Sequence, residues 1–128
     1  MIITVKHFFD AAHQLKDTPQ LATKGCARLH GHTYCVEVGV TCEKLNEAGM
    51  VIDFKSIKQV IDKLDHQFIN DIFEKEHITL QPTAENIAIV LADWINKLDN
   101  VIVEVVKVCE GYKGIEKASW AIYTPQYN

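Results

Sequence analysis

The sequence predicts an α+β domain in which helices pack on one face of an antiparallel sheet. Three observations carry this. Residues 32–41 alternate, with Tyr34, Val36, Val38 and Val40 on one face and Cys35, Glu37, Gly39 and Thr41 on the other. Two later segments repeat their apolar residues at helical spacing. The run Val101-Ile-Val-Glu-Val-Val-Lys-Val-Cys109 is rich in β-branched residues, which suit a pleated, half-buried surface.

Residues 2–9 (Ile-Ile-Thr-Val-Lys-His-Phe-Phe) read as the first strand. Residues 14–29 are polar and irregular, with Asp17, Thr18, Pro19 and Gly25, and a loop of this kind in a small domain often carries function. The alternating segment His32–Thr41 is the second strand. Asn46-Glu-Ala-Gly49 makes a turn, and Met50-Val-Ile-Asp53 returns as a third, completing an antiparallel meander. Asp53 then reads as an N-cap, followed by Phe54, Ile57, Val60, Ile61 and Leu64 on one helical face, so a helix covers 54–64. Residues 64–70 connect onward. Pro82-Thr83 opens a second helix, with Thr83 as its cap and Glu85 in the first turn, where a negative charge suits the helix dipole. Its stripe of Ile87, Val90, Leu91, Trp94, Ile95 and Leu98 reads as core packing. Strands over 101–109 and 118–123 close the sheet. The order is β-β-β-α-α-β-β, and 1–128 reads as one domain without linker or repeat.

Composition removes several function classes. A net charge of -4, with no Lys/Arg stripe, argues against nucleic acid as a partner. No apolar run has membrane-spanning length, and the start lacks the pattern of a secretory leader. The expectation is a cytoplasmic protein without membrane contact. Cys26, Cys35, Cys42 and Cys109 contain no CxxC pair and read as free thiols.

The chemistry concentrates in Cys26-Ala-Arg-Leu-His30-Gly-His32. In an extended chain residues i and i+2 point to the same face, so His30 and His32 can reach one ion. His13 ends the run Phe8-Phe9-Asp10-Ala11-Ala12-His13 and supplies a third imidazole. Three histidines without a fourth protein ligand are the pattern of a catalytic zinc, which keeps a position for water or substrate. Taken singly, each residue has an ordinary reading: His-Gly-His as a strand end, His13 as a surface residue, Cys26 as a small buried hydrophobe. Cys26 does lie between Lys24 and Arg28, and positive neighbours favour a thiolate.

Five blocks, in order, then carry a resemblance: Phe9-Asp-Ala-Ala-His13, Cys26 to His32, Gly49-Met-Val-Ile-Asp-Phe54, Leu64-Asp-His66 and Pro82-Thr-Ala-Glu-Asn86. Val106-Lys-Val-Cys-Glu110 adds a sixth. Together they make the chain resemble the 6-pyruvoyl-tetrahydropterin synthase family, including its bacterial branch, the 6-carboxytetrahydropterin synthases of the queuosine pathway. The resemblance covers nearly the whole chain. It implies the tunnelling fold, a four-stranded antiparallel sheet with two helices on one face that oligomerises through its edges into a β-barrel, usually a homohexamer (a dimer of trimers) with active sites between subunits.

By the same resemblance His13, His30 and His32 hold Zn2+, Cys26 is the catalytic cysteine, and Asp65 with His66 forms a proton relay. Glu110 matches the pterin anchor, whose carboxylate accepts from a ring N–H and an exocyclic amine at once. Thr83 and Glu85 are further candidates for pterin contact, with helix capping the simpler role for Thr83. Lys24 and Arg28 could meet a triphosphate tail or be solvated loop charges. The implied substrate is 7,8-dihydroneopterin triphosphate. The compact spacing from Cys26 to His32 resembles the branch that releases acetaldehyde, triphosphate and 6-carboxy-5,6,7,8-tetrahydropterin. The folate-feeding branch uses a glutamate near this point, and Leu29, immediately before His30, supplies none. The pyruvoyl product, or a pterin-binding module without catalysis, are the alternatives. Residues 111–117 are longer than the resemblance leads one to expect, and either reshape the pterin pocket or extend a hairpin.

Overall fold

The computed structural model describes residues 1–127. Strands β1 (Ile3–His13), β2 (His30–Thr41), β3 (Ile102–Glu110) and β4 (Ala121–Tyr123) form one antiparallel sheet in the order β1-β2-β3-β4. Between β2 and β3 lie α1 (Phe54–Ile61), α2 (Ile69–Lys75) and α3 (Ala84–Asn96). The expected α+β architecture holds, with three helices where two were expected.

Strand register decides which residues meet. Val5 faces Val38, Phe9 faces Tyr34, and Val36 faces Val108. This face joins Ile57, Ile61, Leu91 and Ile95 in one buried core. Truncating a fully buried Leu91 or Ile95 to alanine would cost about 2–5 kcal/mol. β2 shifts register between Gly39 and Val40, and a Cβ on the buried Gly39 would come within 2.9 Å of the Val105 side chain. Only glycine fits that irregularity without displacement.

The helix starts follow capping chemistry. The Asp53 carboxylate accepts from the Lys55 N–H at 2.8 Å, and the Thr83 hydroxyl from the Asn86 N–H at 3.2 Å. α1 ends at Ile61 and tightens into a 3-10 turn over Asp62–Leu64, covering the expected span to 64. α2 went unpredicted. It has only seven residues, and its N-cap Phe68 makes no side-chain bond to mark the start.

Met50–Asp53 is not a strand. The Met50 carbonyl accepts from Asn46 N–H at 2.8 Å, closing a local turn, and the Val51 carbonyl accepts from the Asn100 amide at 3.1 Å. With those groups spent, the segment seats Val51, only 2% exposed, in the core as an irregular stretch. β1 runs four residues beyond the expected 2–9 end, to His13.

The 111–117 connection does not lengthen the hairpin, since β3 and β4 pair only from Val106↔Tyr123 to Val108↔Ala121. It crosses to the helix-free face of the sheet. There Tyr112 packs edge-on against Phe8 at 5.3 Å, and Lys107 lies 5.0 Å from the Trp120 ring. On this same face Cys35 and Cys109 are register partners, and both are buried.

Candidate functional site

The end of the β1–β2 ladder builds the site. Cross-strand partners share a face, so the pairings His13↔His30 and Ala11↔His32 put all three histidines on the helix-covered side. One ring nitrogen from each lies within 4.8 Å of the others. Glu110 reaches the same face from β3 as the partner of Tyr34, with its carboxylate 4.0 Å from His13 Nε2.

Hydrogen bonds fix two of the tautomers. His13 Nδ1 donates to the Pro82 carbonyl at 2.7 Å, and His30 Nδ1 donates to the Arg28 carbonyl at 2.6 Å. A carbonyl only accepts, so both protons sit on Nδ1. The two Nε2 atoms then face each other at 2.9 Å, lone pair toward lone pair. His32 Nε2 is buried and has no hydrogen-bond partner among the described residues. Two opposed lone pairs and an orphaned buried nitrogen are a donor set that a soft or borderline divalent cation satisfies. The carbonyls on His13 and His30 are the outer partners that orient metal-binding imidazoles. Burial is the main cause that lowers the pKa of His13 and of His32, which favours the neutral, ligating form. The residues therefore fit a metal ion.

Gly111, at φ +67°, turns the chain immediately after Glu110, and a Cβ there would lie 3.7 Å from His32 Nδ1. That turn lets the Tyr112 N–H reach the Thr33 carbonyl at 3.0 Å. Glu110 is thereby held as the last residue of β3 beside the histidines.

Cys26 sits in a 3-10 turn, Lys24–Ala27, half-buried, with its Sγ 3.6 Å from the Thr23 hydroxyl. The ammonium of the neighbouring Lys24 pairs with Asp17 at 2.7 Å. Thr83 and Glu85 begin α3, directly after the Pro82 that holds His13.

Asp65 and His66 lie along the outer edge of β1. The Asp10 N–H donates to Asp65 Oδ1 at 3.0 Å, the His66 N–H donates to the Asp10 carbonyl at 2.6 Å, and His66 Nδ1 stands 2.9 Å from Asp65 Oδ2. The Asp10 N–H and then His66 hold the Asp65 carboxyl below its usual range. The hydrogen bond that His66 donates to Asp65, and the charge of that carboxylate, raise His66. An open cleft of about 620 Å³ is bordered by Asp10, Ala12, His32, Thr33, His66 and Gln67, so one histidine of the cluster and the imidazole of the relay border the same depression. Sequence reasoning missed the amide side chains of Gln14, Asn70 and Gln81, which brace the loop after β1. Their only signal was position, since Gln14 follows the His13 block, Asn70 lies four residues after His66 and Gln81 precedes the Pro82 block.

The family model for 6-pyruvoyl tetrahydropterin synthase matches residues 2–125. The chain belongs to this family. It is 41% identical over 98 residues to the 6-carboxy-5,6,7,8-tetrahydropterin synthase of Synechocystis, covering 69% of this chain and 70% of that protein. It is 30% identical over 97 residues to the enzyme of the same name from Bacillus subtilis, covering 70% of this chain and 64% of the relative. With the Aquifex aeolicus enzyme of that name the match spans only 44% of the relative's length. The fold is that of the solved Caenorhabditis elegans 6-pyruvoyl tetrahydropterin synthase, at TM-score 0.62 and 21% identity over 98% of this chain and 97% of that one. The tunnelling fold is thus established, with the subunit's own sheet open rather than closed. No helix among the described residues is long and apolar enough to cross a membrane.

Proposed function

We propose that the protein is a cytoplasmic, zinc-dependent lyase of queuosine biosynthesis. It converts 7,8-dihydroneopterin triphosphate to 6-carboxy-5,6,7,8-tetrahydropterin and releases acetaldehyde and triphosphate. The observation that carries this reading is the convergence of His13, His30 and His32 in a chain similar to proteins of that name. His13, His30 and His32 would hold the zinc ion, which when bound would supply Lewis-acid polarisation of the substrate's side-chain hydroxyls.

The chain's own residues supply the rest. Cys26, as thiolate, is the general base for a side-chain proton. Asp65 holds His66 in one tautomer and orientation, and His66 handles a second proton. The Glu110 carboxylate anchors the pterin through paired hydrogen bonds. Thr83 fixes the first turn of α3 as its cap, and Glu85 offers a second carboxylate there for the pterin. The working form is a homohexamer, a dimer of trimers closed through sheet edges. Two features support it: β1 and β4 are both outer strands, and the His66 side chain is 80% exposed beside β1. A closed barrel removes the edges and completes the cleft around that imidazole.

The test is mass spectrometry of products from zinc-loaded protein and 7,8-dihydroneopterin triphosphate, with an acetaldehyde trap. Carboxytetrahydropterin with trapped acetaldehyde, lost in Cys26→Ala at unchanged zinc content, is the expected result. A pyruvoyl product without acetaldehyde, or full turnover by Cys26→Ala, would overturn the assignment.

A further inference from the structure

Three consecutive carbonyls in the loop before β2 are all engaged. Cys26 O accepts from the Leu15 N–H at 3.1 Å, Ala27 O from the Gln14 side-chain amide at 2.8 Å, and Arg28 O from His30 Nδ1 at 2.6 Å. The first two bonds tie the Cys26 turn to the end of β1, immediately after His13. The third orients an imidazole of the metal cluster. Gln14 is itself braced: its N–H donates to Asn70 Oδ1 at 2.9 Å, and its carbonyl accepts from the Asn70 amide at 2.8 Å. One turn further, the Lys16 N–H donates to Gln81 Oε1 at 2.8 Å.

We infer that Gln14 is a positioning residue whose side-chain amide latches the Cys26 turn to the histidine cluster. The inference rests on the reading of Cys26 as the general base. The bonds of the loop to itself are local: Leu21 to Thr18, Cys26 to Thr23 and Arg28 to Gly25 along the backbone, with Lys24 to Asp17 and the Thr23 hydroxyl to Cys26 Sγ between side chains. None fixes the thiol relative to β1. Gln14 is the only side chain whose amide bridges β1's end to these carbonyls among the described residues. Because Gln14 is exposed, its hydrogen bonds exchange readily with water and add little to global stability. Placement is another matter, since an error of about 1 Å in a reacting group can cost about 100-fold in rate. The latch therefore governs rate more than folding.

The experiment compares zinc-loaded wild type, Gln14→Met, Gln14→Arg and Cys26→Ala. Methionine keeps the length of the side chain but cannot donate. Arginine carries an N–H the same number of bonds from Cα as the glutamine amide, so it can remake the bond to Ala27 O. Gln14→Met should lose about 10- to 100-fold in kcat with KM little changed. It should keep its zinc and melt within about 5 °C of wild type. Hydrogen exchange at the Leu15 amide should quicken about tenfold or more, because its partner, the Cys26 carbonyl, belongs to the peptide next to the released Ala27 carbonyl and loosens with the turn. Gln14→Arg should restore both kcat and Leu15 protection. Wild-type kcat in Gln14→Met, or Leu15 protection unchanged, overturns the inference. Should Gln14→Met not fold, Gln14→Glu, which also lacks the donor, replaces it against Gln14→Arg. Wild-type turnover by Cys26→Ala would instead sink the role of the thiol, and the Leu15 exchange rate still reports whether the latch exists.

Discussion

His13 and His30 stand opposite each other on adjacent strands with their Nε2 atoms 2.9 Å apart, and each has already committed its Nδ1 proton to a main-chain carbonyl. In their neutral forms nothing between the two rings can hydrogen-bond. A cation resolves the conflict. Zinc should therefore bind one ion per chain and raise the melting temperature, reversibly with a chelator. At free zinc of about 100 times Kd the gain is about 2.7 kcal/mol. In His30→Ala the increment should vanish. Calorimetric melts with and without chelator would decide, and a wild-type melt indifferent to zinc would count against the site.

The two rings should differ when removed from metal-free protein. His13 is fully buried, and its Nδ1–H satisfies the Pro82 carbonyl. His13→Ala leaves both a cavity and an unpaired buried carbonyl, at about 2–4 kcal/mol. His30 is only partly buried, and its truncation should stay within about 1 kcal/mol. Urea unfolding in chelator measures both. Equal losses would mean that the burial of His13 is not what holds the end of β1 in place.

The Asp65–His66 pair should titrate as a unit. Asp65 is lowered, first by the Asp10 N–H and then by His66. Its contribution is present above the unfolded carboxyl value and is lost as pH falls through the folded one. His66 is raised, first by the hydrogen bond it donates to Asp65. Its contribution is complete below 6.5 and is lost as pH rises through the raised folded value. The ion pair is therefore fullest between those two folded values. Because His66 is so exposed, the effect belongs in its titration curve rather than in stability. NMR should find the His66 midpoint above 6.5, falling back toward that value in Asp65→Asn. A wild-type midpoint at or below it would contradict the pairing.

What the sequence made readable was local pattern. The alternation from Tyr34 to Val40 names the buried face of β2, and the Asp53 and Thr83 caps name two helix starts. The far half of β1 was harder, because Asp10 interrupts the apolar run. In the fold that polar residue is accommodated: the Thr33 hydroxyl donates to its carboxylate at 2.6 Å across the ladder. Spacing brought His30 and His32 to one face, but that His13 would become the register partner of His30 is a property of the pairing alone. α2 left a weak trace in Ile69, Ile72 and Phe73, too short to count as a helix without a capping side chain. The partner of Lys24 was not legible either: Asp17, seven residues earlier, meets its ammonium only once the loop is folded.

Asn100 explains why Val51 packs as a plug and not as a strand, and it yields a stability test. It sits at φ +68°, where asparagine is tolerated, and its amide donates at 3.1 Å to both the Lys44 and the Val51 carbonyls. If those two bonds are what matter, Asn100→Gly should destabilise despite the ease with which glycine adopts a positive φ. Removing the donor leaves a part-buried carbonyl unpaired, at about 1–3 kcal/mol. Asn100→Asp should be worse, since it keeps the size but turns a carboxylate toward two carbonyls. The expected order in urea unfolding is wild type, then glycine, then aspartate. A glycine variant as stable as wild type would mean that backbone conformation, not the amide, decides how residues 44–51 pack.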